Sequence, residues 1–398
     1  MNKTIMILGA SVLQLPAIRK AKEMGFEVVA VDMDPGAIGF AEAGIIKEVI
    51  STIDIPAVLE AAKRHRIDGV MTLASDMPMR TVAAVAKELG LVGVSEETAL
   101  KATNKAAMRE ALREYGVPIP QFFKVSDRQE YDEAVGQFRS AFIVKPADNS
   151  GSRGIFLIED ITNTALIEQA YEYSRRYSRG GDVVVEEYMR GPEVSVETLT
   201  VDGTCHVIQI TDKLTTGAPH FVEMGHSQPT RHCSRTTEQI RWVAEAANKA
   251  VGIQNGPSHT EIIVTEEGPK IVELGARLGG DCITTHLVPL STGVDMVECC
   301  IRIALGESPD VTPKFKRGSA IRYFEQTAGK VWRIDGVEAA EALDGVQQVC
   351  IVHGVGKTVT EIDSSAARLG FVIAQASTAE EAVTACEAAR DRVTIEIL

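Results

Sequence analysis

The chain has no CxxC pair, and its seven cysteines are an odd and scattered set. That leaves a disulfide framework unsupported and fits the reduced thiols of a cytoplasmic protein. No apolar run approaches the ~18 residues of a membrane span. Met1–Ala10 carries one lysine and a short apolar run without a cleavage site, which reads as a first strand rather than a signal peptide. Positive charge is scarce: 41 Lys and Arg stand against 55 Asp and Glu, a net charge of −14. Nucleic acids and anionic membrane surfaces need a basic face, so this balance argues against both as partners. It leaves room for a nucleotide, because a few local cations hold one triphosphate. Aromatic residues make up 5% of the chain and supply no obvious stacking pocket. Internal repeats and low-complexity segments are absent.

What is present is an ordinary globular composition, 45% hydrophobic and 24% charged, over 398 residues. That length predicts two or three domains. Thr4–Leu8, Glu27–Asp32 and Gly69–Leu73 read as strands, separated by helices over Leu13–Met24 and Ile55–His65 and followed by one over Met79–Leu89. This βαβαβ order predicts a parallel sheet with right-handed crossovers. Gly93–Lys105 reads as a junction and Asn104–Tyr115 as a helix. Strands over Phe142–Lys145, Ile155–Ile158 and Asp182–Glu187 flank a helix over Thr164–Tyr177. Further strands are expected at Glu193–Val201, Cys205–Ile210, Ser258–Val264 and Lys270–Leu274, with a polar stretch over 212–234 and a helix over Thr236–Val251. Beyond Pro309, short strands and a helix over Thr378–Asp391 predict a small α+β domain.

Two glycine loops are decoys. Gly9–Pro16 lacks the second and third glycines of a dinucleotide fingerprint, so it reads as a strand-to-helix turn near a substrate rather than an NAD site. Gly356-Lys357-Thr358 resembles the end of a P-loop, but the required glycine falls on Ile351, and a hairpin turn is expected. Ser75 and Asp76, just after the third strand, are either substrate neighbours or a helix cap.

The remaining motifs point to phosphate chemistry. Lys145 ends an apolar strand, where a buried ammonium needs an anion. The small residues Asn149–Gly154 after it let backbone N–H groups face phosphate oxygens. Glu186-Glu187-Tyr188-Met189 ends a valine strand, and Glu193 follows a Gly-Pro turn; these acids either are solvated or face an adenosine. Glu261 and Glu273 lie within strands joined by a turn, so both sit on one sheet. A shared Mg²⁺ would relieve their repulsion, and hard oxygen ligands suit it. Arg277, in the glycine-rich run Gly275–Asp281, suits a transferring phosphoryl group. His220, His226 and His232 lack the i, i+4 spacing of a helical zinc pair, so a polar loop lining a site is the simpler reading.

Taken in order, Lys105, Lys145 with its loop, Glu186–Met189, Glu193, Glu261, Glu273 and Arg277 resemble the ATP-grasp superfamily over nearly the whole chain. His220–Pro229 and Gly256–Glu261 look like its L-amino acid ligase branch. The resemblance implies an α/β architecture: a parallel-sheet domain over 1–95, a two-part ATP-grasp body over 96–310 with a mobile lid at about 118–190, and a small α+β domain over 311–398. It also implies an ADP-forming ligase that joins a carboxylate to an amine. Purine-pathway and carbamoyl-phosphate-synthase-like ligases are the nearest alternatives. An NAD-dependent oxidoreductase and a non-catalytic ATP-binding protein are the distant ones. In that family pattern Lys105 and Lys145 bind ATP phosphates, and Ser150, Ser152 and Gly154 belong to the flap. Glu186, Glu187 and Met189 lie at the adenine and Glu193 at the ribose. Glu261 and Glu273 hold Mg²⁺ or Mn²⁺, and Arg277 and His226 stabilise the acyl-phosphate and tetrahedral intermediate. Many members carry Asn two residues after the second metal glutamate; here that residue is Gly275, so bidentate Glu273 or water would complete the coordination. Family members are often dimers, and a homodimer is compatible with this sequence.

Overall fold

The computed structural model describes residues 3–149, 151 and 153–398. The expected flap residues Ser150 and Ser152 lie outside the described residues. Four parallel strands open the chain: β1 (Thr4–Leu8), β2 (Glu27–Asp32), β3 (Ile46–Val49) and β4 (Gly69–Met71), in the order β3-β2-β1-β4. Every residue of β1 is buried, which is why it reads as a continuous apolar run. The helix Ile55–His65 starts where the Asp54 side chain accepts from the Ala57 N–H. The helix Met79–Leu89 has Pro78 at its cap position and no side-chain cap, so Ser75 is not a helix cap. One face of this sheet shares a core with the helix Met296–Ala304 through Ile5, Ile7, Met296 and Ile301. The opposite face joins a second core through Met6 and Val29.

A four-stranded sheet follows, β5 (Phe122–Val125), β6 (Phe142–Pro146), β7 (Phe156–Ile158) and β8 (Val183–Glu187), ordered β5-β8-β6-β7. It has its own apolar cluster, in which Tyr131, Phe138, Phe142 and Tyr171 pack together. The expected junction before it holds a further helix, Glu96–Thr103, capped by Ser95.

The central sheet contains β9 (Glu193–Val201), β10 (Thr204–Thr215), β11 (Glu223–Gln228), β12 (Gly256–Thr265) and β13 (Gly268–Gly275). Two expectations fail here. β10 runs five residues past Ile210 to Thr215, and the polar stretch 212–234 contains β11. Both strands are rich in polar side chains because they face a cleft, so apolar alternation does not reveal them.

The chain ends with β14 (Gly318–Tyr323), β15 (Gly329–Asp335), β16 (Val346–Ile351), β17 (Thr358–Val359), β18 (Gly370–Ala376) and β19 (Thr394–Ile397). β14, β18 and β16 extend the central sheet, giving eight strands in the order β13-β12-β9-β10-β11-β14-β18-β16. Only β17, β15 and β19 form a separate small sheet. Gly356-Lys357-Thr358 leads into β17, with no helix after it.

A charged clamp ties the C-terminal part to the glycine-rich loop. Arg368 Nη1 and Nη2 each lie 2.7 Å from an Asp281 carboxylate oxygen, and the guanidinium stacks 3.8 Å from the Tyr323 ring centre. Asp281 and Cys282 both hold left-handed backbone, at φ 50° and 61°. Such conformations cost about 1–3 kcal/mol each in non-glycine residues and persist only when neighbours hold them. Burial alone would raise the Asp281 carboxyl; Arg368 and His226 instead hold it well below the ordinary carboxylate range. Its stabilising contribution is therefore complete above about pH 4 and is lost as pH falls from there toward the depressed value. An Arg368→Ala variant is expected to lose about 3 kcal/mol at neutral pH. Urea unfolding at pH 7 and pH 3 checks this, and the gap between variant and wild type should shrink at the lower pH.

Candidate active site

Between the four-stranded sheet and the central sheet lies a cleft lined by Lys105, Lys145, Glu186, Met189, Glu193, Glu261 and Glu273, together with Gly151 and Glu187. Nine positions singled out from the sequence or its flap thus meet in one place, from segments more than a hundred residues apart.

On the wall formed by the four-stranded sheet, β6 supplies Lys145 and β8 supplies Glu186, both buried. Lys145 Nζ pairs with Glu186 Oε1. Arg109, from the helix Lys105–Glu114, donates to Glu186 Oε2 at 3.0 Å and to the Val272 carbonyl at 2.7 Å. Burial pulls the Lys145 ammonium below its ordinary value, and the neighbouring Arg109 and Lys105 add to that, with Glu186 opposing. Burial would raise the Glu186 carboxyl, but Arg109 and Lys145 outweigh it and hold it low. Two cations thus converge on one carboxylate, and the wall carries positive charge that a polyanion would satisfy.

On the sheet wall, Lys213 from β10 lies among three carboxylates. It pairs with Glu193, sits 3.0 Å from Glu261 and 3.6 Å from Glu223. Burial would lower the Lys213 ammonium, but these three acids raise it well above its ordinary value. The same crowding acts on Glu193 in reverse: burial raises it, Lys213 opposes, and Glu261 adds to the rise. Glu261 and Glu273 are direct cross-strand partners on β12 and β13. Glu273 receives Lys105 Nζ at 2.8 Å, and the same ammonium donates to the Asn149 carbonyl at 2.8 Å. Burial would lower Lys105, and Glu273 raises it.

Among the described residues, no group of three or more His, Cys, Asp or Glu side chains is arranged to hold a metal. Glu261 and Glu273 nonetheless fit Mg²⁺ or Mn²⁺. Mg²⁺ typically uses one or two carboxylates plus water and substrate phosphates, and two adjacent carboxylates in a phosphate cleft match that donor set. At Gly275, where many family members carry Asn, a side chain would crowd its neighbours. A Cβ there would lie 2.7 Å from Asp76 Oδ1 and 3.1 Å from Arg277 Nε, and those two side chains form an ion pair at 2.8 Å.

Three expected residues lie elsewhere. Arg277 is bound to Asp76 and sits behind the carboxylate pair. Burial would lower its guanidinium, but Asp76, Glu273 and Glu261 raise it. His226 is 1% exposed on β11 and does not line the cleft; its Nε2 is 3.5 Å from Asp281. Gly154 is packed against Pro146 and Tyr177 at the base of the flap. A second cavity of ≈ 260 Å³ adjoins the cleft, sharing Lys105, Asn149 and Glu273 and adding Asp76, Arg80 and Arg179.

Several functional candidates were missed in the sequence: Lys213, Arg109, Glu223, Glu197 and His259. His259 Nδ1 is 2.6 Å from Glu197 and its Nε2 is 3.4 Å from Glu261. Burial would lower the imidazole, but Glu197 and then Glu261 push it up to about 9. A lysine in a strand, between Asp212 and Leu214, was the available signal for Lys213. Arg109, in a charged helix, offered none.

Residues 138–285 match the ATP-grasp domain family, and residues 322–397 match L-amino acid ligase C-terminal domain 2. The L-arginine-specific L-amino acid ligase of Bacillus subtilis is 26% identical over 335 residues, covering 79% of this chain and 78% of that protein. The crystal structure of an L-amino acid ligase from Bacillus licheniformis superposes with a TM-score of 0.85 at 22% identity, covering 100% of this chain and 99% of that one. A phosphoribosylglycinamide synthetase from Anaerococcus prevotii shares the fold, with a TM-score of 0.82 at 21% identity and full coverage of both chains. The chain thus carries an ATP-grasp domain, set between a parallel N-terminal sheet and a C-terminal domain of the L-amino acid ligase type.

Proposed function

We propose that this protein is an ATP-dependent ligase that joins the carboxylate of one amino acid to the amine of another through an acyl-phosphate, releasing ADP and phosphate. The observation that carries this reading is the convergence of Lys105 and Lys145 with the cross-strand pair Glu261 and Glu273 in one cleft. The amino-acid substrate class rests on the match of residues 322–397 to an L-amino acid ligase domain.

A carboxylate is a poor acyl donor at neutral pH, and phosphorylation gives it a good leaving group. Lys145, lowered by burial beside two other cations, stands ready to take phosphate oxygens. Lys105, from the same helix as Arg109, reaches the same region and spans to Glu273 on the sheet wall. Held between Glu261 and Glu273, Mg²⁺ or Mn²⁺ would offset charge on the phosphates. Glu187 and Met189 line the part of the cleft where an adenine would sit, with Glu186 buried beside them against Lys145 and Arg109, and Glu193 would lie toward the ribose hydroxyls. The substrate carboxylate attacks the terminal phosphorus, the bond to the bridging oxygen breaks, and ADP leaves. An amine then adds to the acyl carbon and phosphate departs. The adjoining cavity suits the acyl substrate because it shares Lys105 and Glu273 with the cleft. Its Arg80 and Arg179 would hold a carboxylate, while Arg277, engaged by Asp76 and outside both cavities, would act only at a distance, by its charge behind Glu261 and Glu273. Residues 149–154 would cover the phosphates and exclude water, which otherwise hydrolyses an acyl-phosphate.

Phosphate release from ATP should require both an acid and an amine, as screened with paired amino acids. Formation of AMP and pyrophosphate would exclude this route. Lys145→Ala should lower kcat/KM by about 10²–10³-fold, with the protein still folded by circular dichroism. Chelation of divalent ions should abolish turnover, and added Mg²⁺ or Mn²⁺ should restore it; Glu273→Ala should not be restored at the same metal concentration.

A further inference from the structure

Glu197 is a carboxylate with no exposed surface, in the middle of β9. Its Oε1 meets His259 Nδ1 at 2.6 Å, and its Oε2 has no hydrogen-bond partner among the described residues. Burying a carboxylate this completely is unfavourable, and a partner that merely neutralised it would serve equally well anywhere in the core. This pair sits at one particular place. The far nitrogen of His259 points at Glu261 Oε1, 3.4 Å away. Lys213 donates to that same oxygen at 3.0 Å. Both donors gather on Oε1, and no described residue donates to Oε2 of Glu261. The carboxylate is thus anchored through one oxygen and presents the other to the cleft.

The pair also touches the loop that carries Arg277. A Cβ built on Gly279 would lie 2.7 Å from His259 Nδ1 and 2.9 Å from Glu197 Oε2. The loop backbone therefore lies directly against the pair, and only glycine fits. One buried unit contacts both a cleft carboxylate and the Gly275–Asp281 loop.

We infer that His259, held by Glu197, is a positioning residue: it fixes the rotamer of Glu261 so that its free oxygen faces a divalent ion bound with nucleotide. This rests on the proposed function, because it assigns Glu261 to that ion. Partners of this kind orient metal-binding carboxylates, and their loss typically costs 10–100-fold in metal affinity.

The test is calorimetric titration of ADP into wild-type protein and into His259→Ala, His259→Gln and Glu197→Gln variants, each with Mg²⁺ and with EDTA. Glu197→Gln preserves shape and guards against a variant that does not fold. The expected result is that His259→Ala and Glu197→Gln weaken ADP binding in Mg²⁺ by about 10–100-fold, while binding in EDTA is unchanged. His259→Gln, which keeps a donor toward Glu261, should recover part of the loss. Equal losses with and without metal would assign the pair a purely structural role and overturn the inference. So would full Mg²⁺-dependent affinity in Glu197→Gln and His259→Ala. Wild-type protein that binds ADP equally in Mg²⁺ and EDTA would instead overturn the metal assignment itself, and this inference with it.

Discussion

The cleft depends on compensating buried charge. Removing an ion from water costs several kcal/mol even after relaxation, so a buried lysine or glutamate is tolerated only beside an opposite charge. Here the two walls solve this differently. The wall of the four-stranded sheet sets Arg109 and Lys145 around the single carboxylate of Glu186. The sheet wall sets Lys213 among Glu193, Glu223 and Glu261. One wall has cation to spare and the other has carboxylate to spare. A phosphate chain would suit the first and a divalent ion the second, so the unequal split of charge is what the proposed metal–nucleotide pair would use.

That arrangement explains which parts were legible in the sequence. Lys145, Glu261 and Glu273 stand out because each interrupts an apolar strand, and an ion in such a place needs a partner. Lys213 was lost when β10 was ended at Ile210: its last residues are polar because they face the cleft, and polarity was read as loop. Arg109 sits in a helix with several exposed charges, and nothing in the spacing separates the one that turns inward. Gly275 looked like a missing metal ligand. Its neighbours show that a side chain there would displace the Asp76–Arg277 pair. The parallel N-terminal sheet was readable from buried strands alternating with amphipathic helices. The joining of β14, β18 and β16 to the central sheet was not, because long-range strand order leaves no local pattern.

This continuous sheet changes how the C-terminal part relates to the site. Arg368 lies beyond every motif, yet it clamps Asp281 two residues after Gly279. Gly279 in turn rests on Glu197 and His259, and His259 reaches Glu261. A chain of packed, charged contacts thus runs from the C-terminal segment to a cleft carboxylate. Its left-handed residues Asp281 and Cys282 are the strained step, and the clamp offsets that strain.

Lys105 joins the two walls. Its ammonium holds Glu273 on the sheet side and the Asn149 carbonyl at the start of the flap loop on the other. Both are 2.8 Å contacts, so two of the three N–H donors of the ammonium are engaged within the protein. A metal ion at Glu273 would compete for the same carboxylate, and phosphate oxygens would compete for the same ammonium. If both bind as proposed, the two ligands would help each other: each would release a group the other needs. Under the proposed function, such coupling would need no separate conformational signal, because the single Lys105–Glu273 ion pair would be exchanged for both ligands at once.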